Sequence, residues 1–163
     1  MTIFAALLLA AAPTCAMPAG LAEPWTSWSQ SGQAVAGAQA SGAPSLILGK
    51  PVTARLTPTD HVQYAASPAK GRKEEGYGGL FTLSLKQPAR IGIGLSGPAW
   101  VDVVDGADIV ASADHGHGPD CSGIRKIVWF DLSAGRHVVQ IAGSASADIR
   151  IMAADAKANQ PAR

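Results

Sequence analysis

The residues best suited to chemistry lie in one short stretch, ADHGHGPDCSGIRK, which spans residues 113–126. His115 and His117 are two positions apart, and Cys121 follows four positions later. In an extended backbone this spacing places both imidazoles on one face, about 7 Å apart. The Gly-Pro-Asp between them and the cysteine can turn the chain and bring the thiol to a third position.

Two imidazoles and a thiolate favour a transition metal, because magnesium and calcium prefer oxygen ligands. The sequence therefore predicts a copper or zinc site that uses His115, His117 and Cys121. The predicted fourth ligand is His137, and the alternatives at that position are Asp114, Asp120 and Met152.

Two other interpretations of the same stretch remain open. Histidines in a glycine-rich turn commonly hydrogen-bond backbone carbonyls, and its glycines suit backbone angles that other residues avoid. Alternatively, Cys121 is a nucleophile paired with His117, and Arg125 and Lys126 favour its thiolate form. No third orienting residue or oxyanion hole can be assigned, and the preferred interpretation of both cations is a solvated strand end.

The N-terminus has the outline of a secretory signal peptide. An apolar run at residues 3–12 is followed by small residues and proline, and it is too short to cross a bilayer. Cleavage is predicted after Ala16 or Ala22, and either cut removes Cys15. The mature chain would then be periplasmic or secreted with Cys121 unpaired, whereas an uncleaved chain could pair the two cysteines.

The composition predicts one domain and excludes some partners. The chain has 163 residues, a formal net charge of +1 and only 15% charged residues. This length suits a single core. With charges of both signs intermixed, neither nucleic acid nor, after removal of the signal peptide, a membrane is an expected partner.

Short runs of alternating apolar residues predict an all-β fold, an antiparallel β-sandwich or jelly roll. Examples are VTARLT, LFTLSLK and RIGIGLS, and a hairpin is expected to turn at Asp105-Gly106. The phrase at residues 90–103 recurs weakly at 136–149 and suggests neighbouring hairpins. The predicted organisation is a signal peptide at 1–22, an irregular arm at 23–44, the sandwich at 45–154 and a disordered tail at 155–163.

The four tryptophans admit a carbohydrate-binding function, since exposed indoles stack on sugar rings. Trp25 and Trp28 could pin the arm to the domain. Trp100 and Trp129 lie within apolar strands and are expected in the core.

From Gly78 to Met152, the segments GLFTL, WVDVV, HGHGPDCSGIRK and GRHVVQIAG resemble a group of small exported bacterial proteins labelled homogentisate 1,2-dioxygenase. Ring-cleaving enzymes of that name are longer cytoplasmic cupins with iron held by two histidines and a glutamate. This chain has neither their length nor their spacing, so the activity is not carried over. The strand pattern is also similar to the pre-peptidase C-terminal class of secreted β-sandwich modules.

Two functions follow as expectations. The first is a small exported metal-binding protein that uses the loop at 115–121. The second is a non-catalytic module that binds a protein or a glycan, with that loop serving only as structure. An enzyme ranks third, because no acid–base pair or nucleophile has a complete set of partners.

Overall fold

The protein was analysed as a computed structural model that describes residues 14–15, 20–70 and 75–159. Most of the predicted signal peptide and the last four residues of the predicted tail lie outside the described residues. Within the described part of the chain, no helix has the length and apolar character needed to cross a bilayer.

Two β-sheets pack face to face, which confirms the predicted all-β sandwich. The first sheet has the strand order β1-β2-β11-β5-β9-β8, and the second has the order β3-β4-β10-β6-β7. The strands are β1 (Gln33–Val35), β2 (Val52–Arg55), β3 (Thr57–Pro58), β4 (Tyr77–Leu85), β5 (Ala89–Leu95), β6 (Trp100–Asp105), β7 (Asp108–Ile109), β8 (Asp114–Gly116), β9 (Lys126–Leu132), β10 (Gly135–Ser144) and β11 (Asp148–Asp155). The described residues also form two 3-10 helices, Thr59–His61 and Ala156–Asn159.

The core lies between the sheets and follows the period-two pattern of the sequence. Alternate residues of the long strands point inward and are buried, as in the series Ile91, Ile93 and Leu95 of β5. Phe81 and Phe130 are fully buried from opposite sheets. Burial of apolar area at about 25 cal/mol per Å² is the main stabilising contribution to such a core.

The predicted hairpin at Asp105-Gly106 is present, with Asp105 paired to Asp108 and Gly106 at φ +62°. This left-handed conformation suits glycine. The repeated phrase does not form neighbouring hairpins. In each copy the first strand lies in one sheet and the second in the other, as β5 and β6 do, so the chain crosses between the sheets.

A second apolar cluster covers the outer face of the first sheet, and we call it the tryptophan platform. Its buried members are Trp25, Trp28, Ile124, Ile127, Met152 and Ala154, with Trp129 packed against them. Trp25 lies over Gly94 and Trp129 over Gly92, where a Cβ atom would lie 2.7 Å from either ring. The two indoles meet edge to face with centroids 6.0 Å apart. Glycines on this face of β5 therefore make room for the indoles.

The segment predicted as an irregular arm is attached to the domain at several points. Trp25 and Trp28 are only 5% and 4% exposed. β1 pairs in parallel with β2, and Gly37 bridges to Leu80 of β4. The arm thus adds an edge strand to the first sheet and also contacts the second.

Cys15 and Cys121 form a disulfide, with Cα atoms 5.3 Å apart across a sequence separation of 106. The bridge is the pairing expected for a chain that keeps Cys15. A disulfide is compatible with an oxidising, extracytoplasmic compartment.

Candidate functional site

The sandwich is open along one edge, between β8 and β9 of the first sheet and β6 and β7 of the second. Residues 110–113 join β7 to β8 across this gap, and they are held by Val110 N donating to Val103 O and Ala113 N donating to Trp129 O. We call the opening the edge cleft. It has a polar lobe of about 450 Å³ and an apolar lobe of about 490 Å³, which share the side chains of Trp100, His115 and Lys126.

The two lobes differ in their walls. The polar lobe is completed mainly by Glu75, Ala99, His117, Arg125 and Gly143. The apolar lobe is completed mainly by Val101, Ile109, Val110, Val128 and Phe130, with Lys70 and Asp102 at its margin. Both walls are mainly apolar, and the polar lobe is named for the charged or titratable side chains that it has besides the shared ones, Glu75, His117 and Arg125.

Trp100 is half-buried at the start of β6 and is fixed by its polar edge. Its Nε1 donates a hydrogen bond of 2.8 Å to Asp102 Oδ1, and the backbone N of Ala69 donates to Asp102 Oδ2 at 3.2 Å. Asp102 is only 4% exposed, so these two donors compensate for part of its lost hydration. The indole is consequently held in one orientation at the junction of the lobes.

Two ammonium groups lie near this indole. Lys126 Nζ is 4.7 Å from the ring centroid and Lys70 Nζ is 5.6 Å from it. Both distances are within the range of cation–π attraction. Lys126 Nζ also donates a hydrogen bond of 2.9 Å to Ala99 O.

Lys126 faces the inside of the sandwich. It lies two positions before Val128, a core residue of the same strand, and pairs with Leu95 of β5. Burial is the main influence on this amine and lowers its pKa below the ordinary lysine value, while the nearby Asp102 carboxylate acts in the opposite direction. Lys126 does lie at the start of β9, but its side chain is partly buried, whereas Arg125 is exposed as the interpretation of a solvated strand end expected.

The structure brings His115 and His117 to the same cleft. His115 pairs with Val128 and so lies on the inner side of β8. His117 follows that strand, and its Nδ1 donates a hydrogen bond of 2.8 Å to Arg125 O. Since the carbonyl can only accept, this bond assigns the proton of the neutral ring to Nδ1 and leaves Nε2 as its acceptor.

The other predicted metal ligands are placed differently. The disulfide occupies the sulfur of Cys121, so this residue offers no thiolate in the oxidised chain. His137 is 2% exposed on β10, where Nε2 donates to Ser133 O at 2.8 Å and the buried Nδ1 has no partner among the described residues. Met152 is buried in the tryptophan platform. No group of three or more His, Cys, Asp or Glu side chains in the described part of the chain is arranged to hold a metal ion.

A metal site at His115, His117, Cys121 and His137 therefore stays a prediction, and its thiolate ligand would require reduced Cys121. The Cys121 nucleophile would require reduction for the same reason.

Sequence reasoning did not identify Trp100, Asp102 and Lys126 as site residues. The apolar pattern of β6 placed Trp100 in the core, and this was wrong, because the indole is only half-buried and borders the cleft. The proximity of Trp100 to Lys126 arises from two strands in different sheets. The sequence did contain one signal. Asp102 lies within an apolar strand, and an aspartate that is buried there requires hydrogen-bond donors close to it.

Neither a protein-family model nor a curated protein sequence matches this chain.

Proposed function

We propose that this protein is an exported, non-catalytic binding module that holds a small organic ligand in the edge cleft. The observation that carries the proposal is the half-buried Trp100 at the junction of two cavities, each within the size range of small-molecule sites. An indole offers a large contact area with few rotatable bonds, so it can bind a ligand at a small entropic cost.

The hydrogen bonds around the cleft support a binding function. Both oxygens of Asp102 accept N–H groups, Nδ1 of His117 donates to a carbonyl, and Nζ of Lys126 donates to another carbonyl. These bonds fix the lining side chains before a ligand arrives, which lowers the cost of ordering them on binding. Nε2 of His117 remains open in the cleft and can accept a hydrogen bond from a bound ligand.

A glycan fits this cleft less well than a compact ligand. Lys126 Nζ lies 4.7 Å over the Trp100 ring and occupies surface that a sugar would need for stacking. Export is supported by the apolar run at residues 3–12 and, for a chain that is not cut after Ala16 or Ala22 and so keeps Cys15, by the compatibility of the disulfide with an oxidising compartment.

The proposal can be tested with N-phenyl-1-naphthylamine, a neutral apolar dye that becomes fluorescent in apolar cavities. We expect saturable binding of one dye per chain. Ala111→Trp should abolish it, since Ala111 lines the apolar lobe and is exposed enough for the larger side chain to fill the lobe without entering the core.

The matched control is Ala134→Trp, an equally small and exposed site in the turn between β9 and β10. This variant should bind the dye like the parent. If the parent does not bind the dye, or if both variants bind it equally well, the edge cleft is not a binding site for small apolar ligands.

A further inference from the structure

We infer that the ligand of the edge cleft is an organic anion with an apolar body, and that Lys126 binds its charged group. This inference rests on the proposed function and adds the chemical class of the ligand. It depends on the apolar core side chains that reach one lobe and on the position of one ammonium group that borders both lobes.

The apolar lobe provides the site for the body of the ligand. Val101, Val128 and Phe130 are core residues whose side chains reach this lobe from both sheets. Ile109 is 36% exposed in the free protein, and a ligand in the lobe would cover it. Such burial favours an apolar group in proportion to the area removed from water.

The fixed charges of the cleft favour an anion. The cations are Lys70, Arg125 and Lys126, and the acids are Glu75 and Asp102. The Asp102 carboxylate already accepts two N–H groups, and Glu75 is exposed and screened by water to the same degree as Lys70 and Arg125. The balance of these five groups is positive even when both histidines are neutral.

Lys126 is the cation best placed to receive the anion. It borders both lobes, and Arg125 borders only the polar lobe. Among the described residues, Nζ has one hydrogen-bond acceptor, Ala99 O, although an ammonium group has three N–H donors. Since a partly buried ammonium is stabilised by an opposite charge, an anion at this position gains a charge-assisted hydrogen bond.

Two dyes with the same ring system separate the charged contact from the apolar one. N-phenyl-1-naphthylamine is neutral, and 8-anilino-1-naphthalenesulfonate carries one sulfonate on the same rings. We expect the parent protein to bind the sulfonate more tightly than the neutral dye. Octanoate should displace the sulfonate dye, and 1-octanol at the same concentration should displace it less effectively.

The variant that tests the contact is Lys126→Met, which keeps an unbranched side chain and removes the charge. We expect about a tenfold loss of affinity for the sulfonate dye, in keeping with a charge-assisted hydrogen bond, while affinity for the neutral dye changes less than about twofold. Lys126→Arg should recover most of the lost affinity. Lys86→Met, an exposed lysine outside the cleft, should bind both dyes like the parent.

The outcomes distinguish the two proposals. If the neutral dye binds in the cleft and Lys126→Met changes the two affinities equally or leaves both unchanged, the inference is wrong and the binding function stands. If neither dye binds the folded parent, both are wrong. Circular dichroism and the melting temperature of each variant verify that the compared proteins are folded.

Discussion

Two regions of this molecule use tryptophan in opposite ways. In the tryptophan platform, the indoles of Trp25 and Trp28 are almost fully covered by the chain itself and lie against the outer face of the first sheet. In the edge cleft, Trp100 is half-buried beside two ammonium groups and borders two cavities. An aromatic side chain that its own chain covers contributes to stability, and one left open at a cavity is available to a ligand.

The polar groups show the same contrast between a structural role at the platform and a binding role at the cleft. At the platform, Nη1 of Arg150 donates to the carbonyls of Trp28 and Gln30, so the cation fastens the arm to the domain. At the cleft, Lys126 donates to a single carbonyl among the described residues. The comparison therefore predicts that changes at the platform reduce stability, whereas changes at the cleft reduce binding.

The largest expected effect is the loss of a platform indole. Trp25→Ala should lower the free energy of unfolding by about 3–5 kcal/mol, because it removes a buried aromatic side chain and leaves a cavity. Trp100→Ala, the matched change in the cleft, should cost less, about 1–3 kcal/mol, because the indole is less deeply buried and the main loss is its hydrogen bond to the buried Asp102. Urea denaturation of both variants measures the difference. Equal losses would contradict the distinction between the two regions.

The disulfide should have the next largest effect. Because it closes a loop of 106 residues, Cys121→Ser is expected to reduce stability by about 2–4 kcal/mol. It should leave dye binding in the cleft unchanged, since neither cysteine borders the lobes.

The same bridge provides a direct test of export processing. Intact mass and thiol titration of periplasmic protein should show a chain that retains Cys15 and has no free thiol. A chain that begins at Met17 or Glu23 with one titratable thiol would confirm the cleavage predicted from the sequence, and it would contradict the bridge.

A smaller effect is expected from pH. Burial lowers the pKa of Lys126, so its ammonium loses its proton at a lower pH than an ordinary lysine. Affinity for the sulfonate dye should therefore fall as pH rises through this lowered pKa, while affinity for the neutral dye stays constant. Lys126→Arg should remove the fall, because guanidinium remains protonated.

Other charged and titratable groups face the same cleft and define the controls for this titration. They are Lys70, Glu75, Asp102, His115, His117 and Arg125. A fall in affinity that persists unchanged in Lys126→Arg would assign the pH dependence to one of these groups.

The depressed pKa also means that Lys126 contributes stability at high pH that is lost as pH falls through its folded-state value.

The sequence predicted the architecture well because local patterns specify it. Alternation in β5 identified its inward face, and Asp105-Gly106 identified a hairpin turn, since both depend on neighbouring residues. The sequence did not predict that the chain crosses from one sheet to the other within each copy of the repeated phrase. A strand–turn–strand pattern does not determine whether its second strand pairs with the first or joins the opposite sheet.

The candidate site was predicted only in part. His115 and His117 both line the edge cleft, while the metal site predicted from their spacing stays a prediction. Trp100 and Lys126 were missed because their contact joins β6 of one sheet to β9 of the other, and no local pattern encodes that distance. His137 was included for its residue type, whereas the fold directs it into the interior of the sandwich.

The central claim is that the edge cleft, and not the tryptophan platform, binds a small ligand. The most direct measurement follows the four indole N–H signals by nuclear magnetic resonance while 8-anilino-1-naphthalenesulfonate is added to the folded protein, with Trp100→Phe used for assignment. We expect the Trp100 signal to shift progressively and to saturate, because its Nε1 is bonded to Asp102 at the junction of the lobes. The signals of Trp25, Trp28 and Trp129 should stay in place. Shifts confined to those three tryptophans, or no saturable shift at Trp100, would contradict the account.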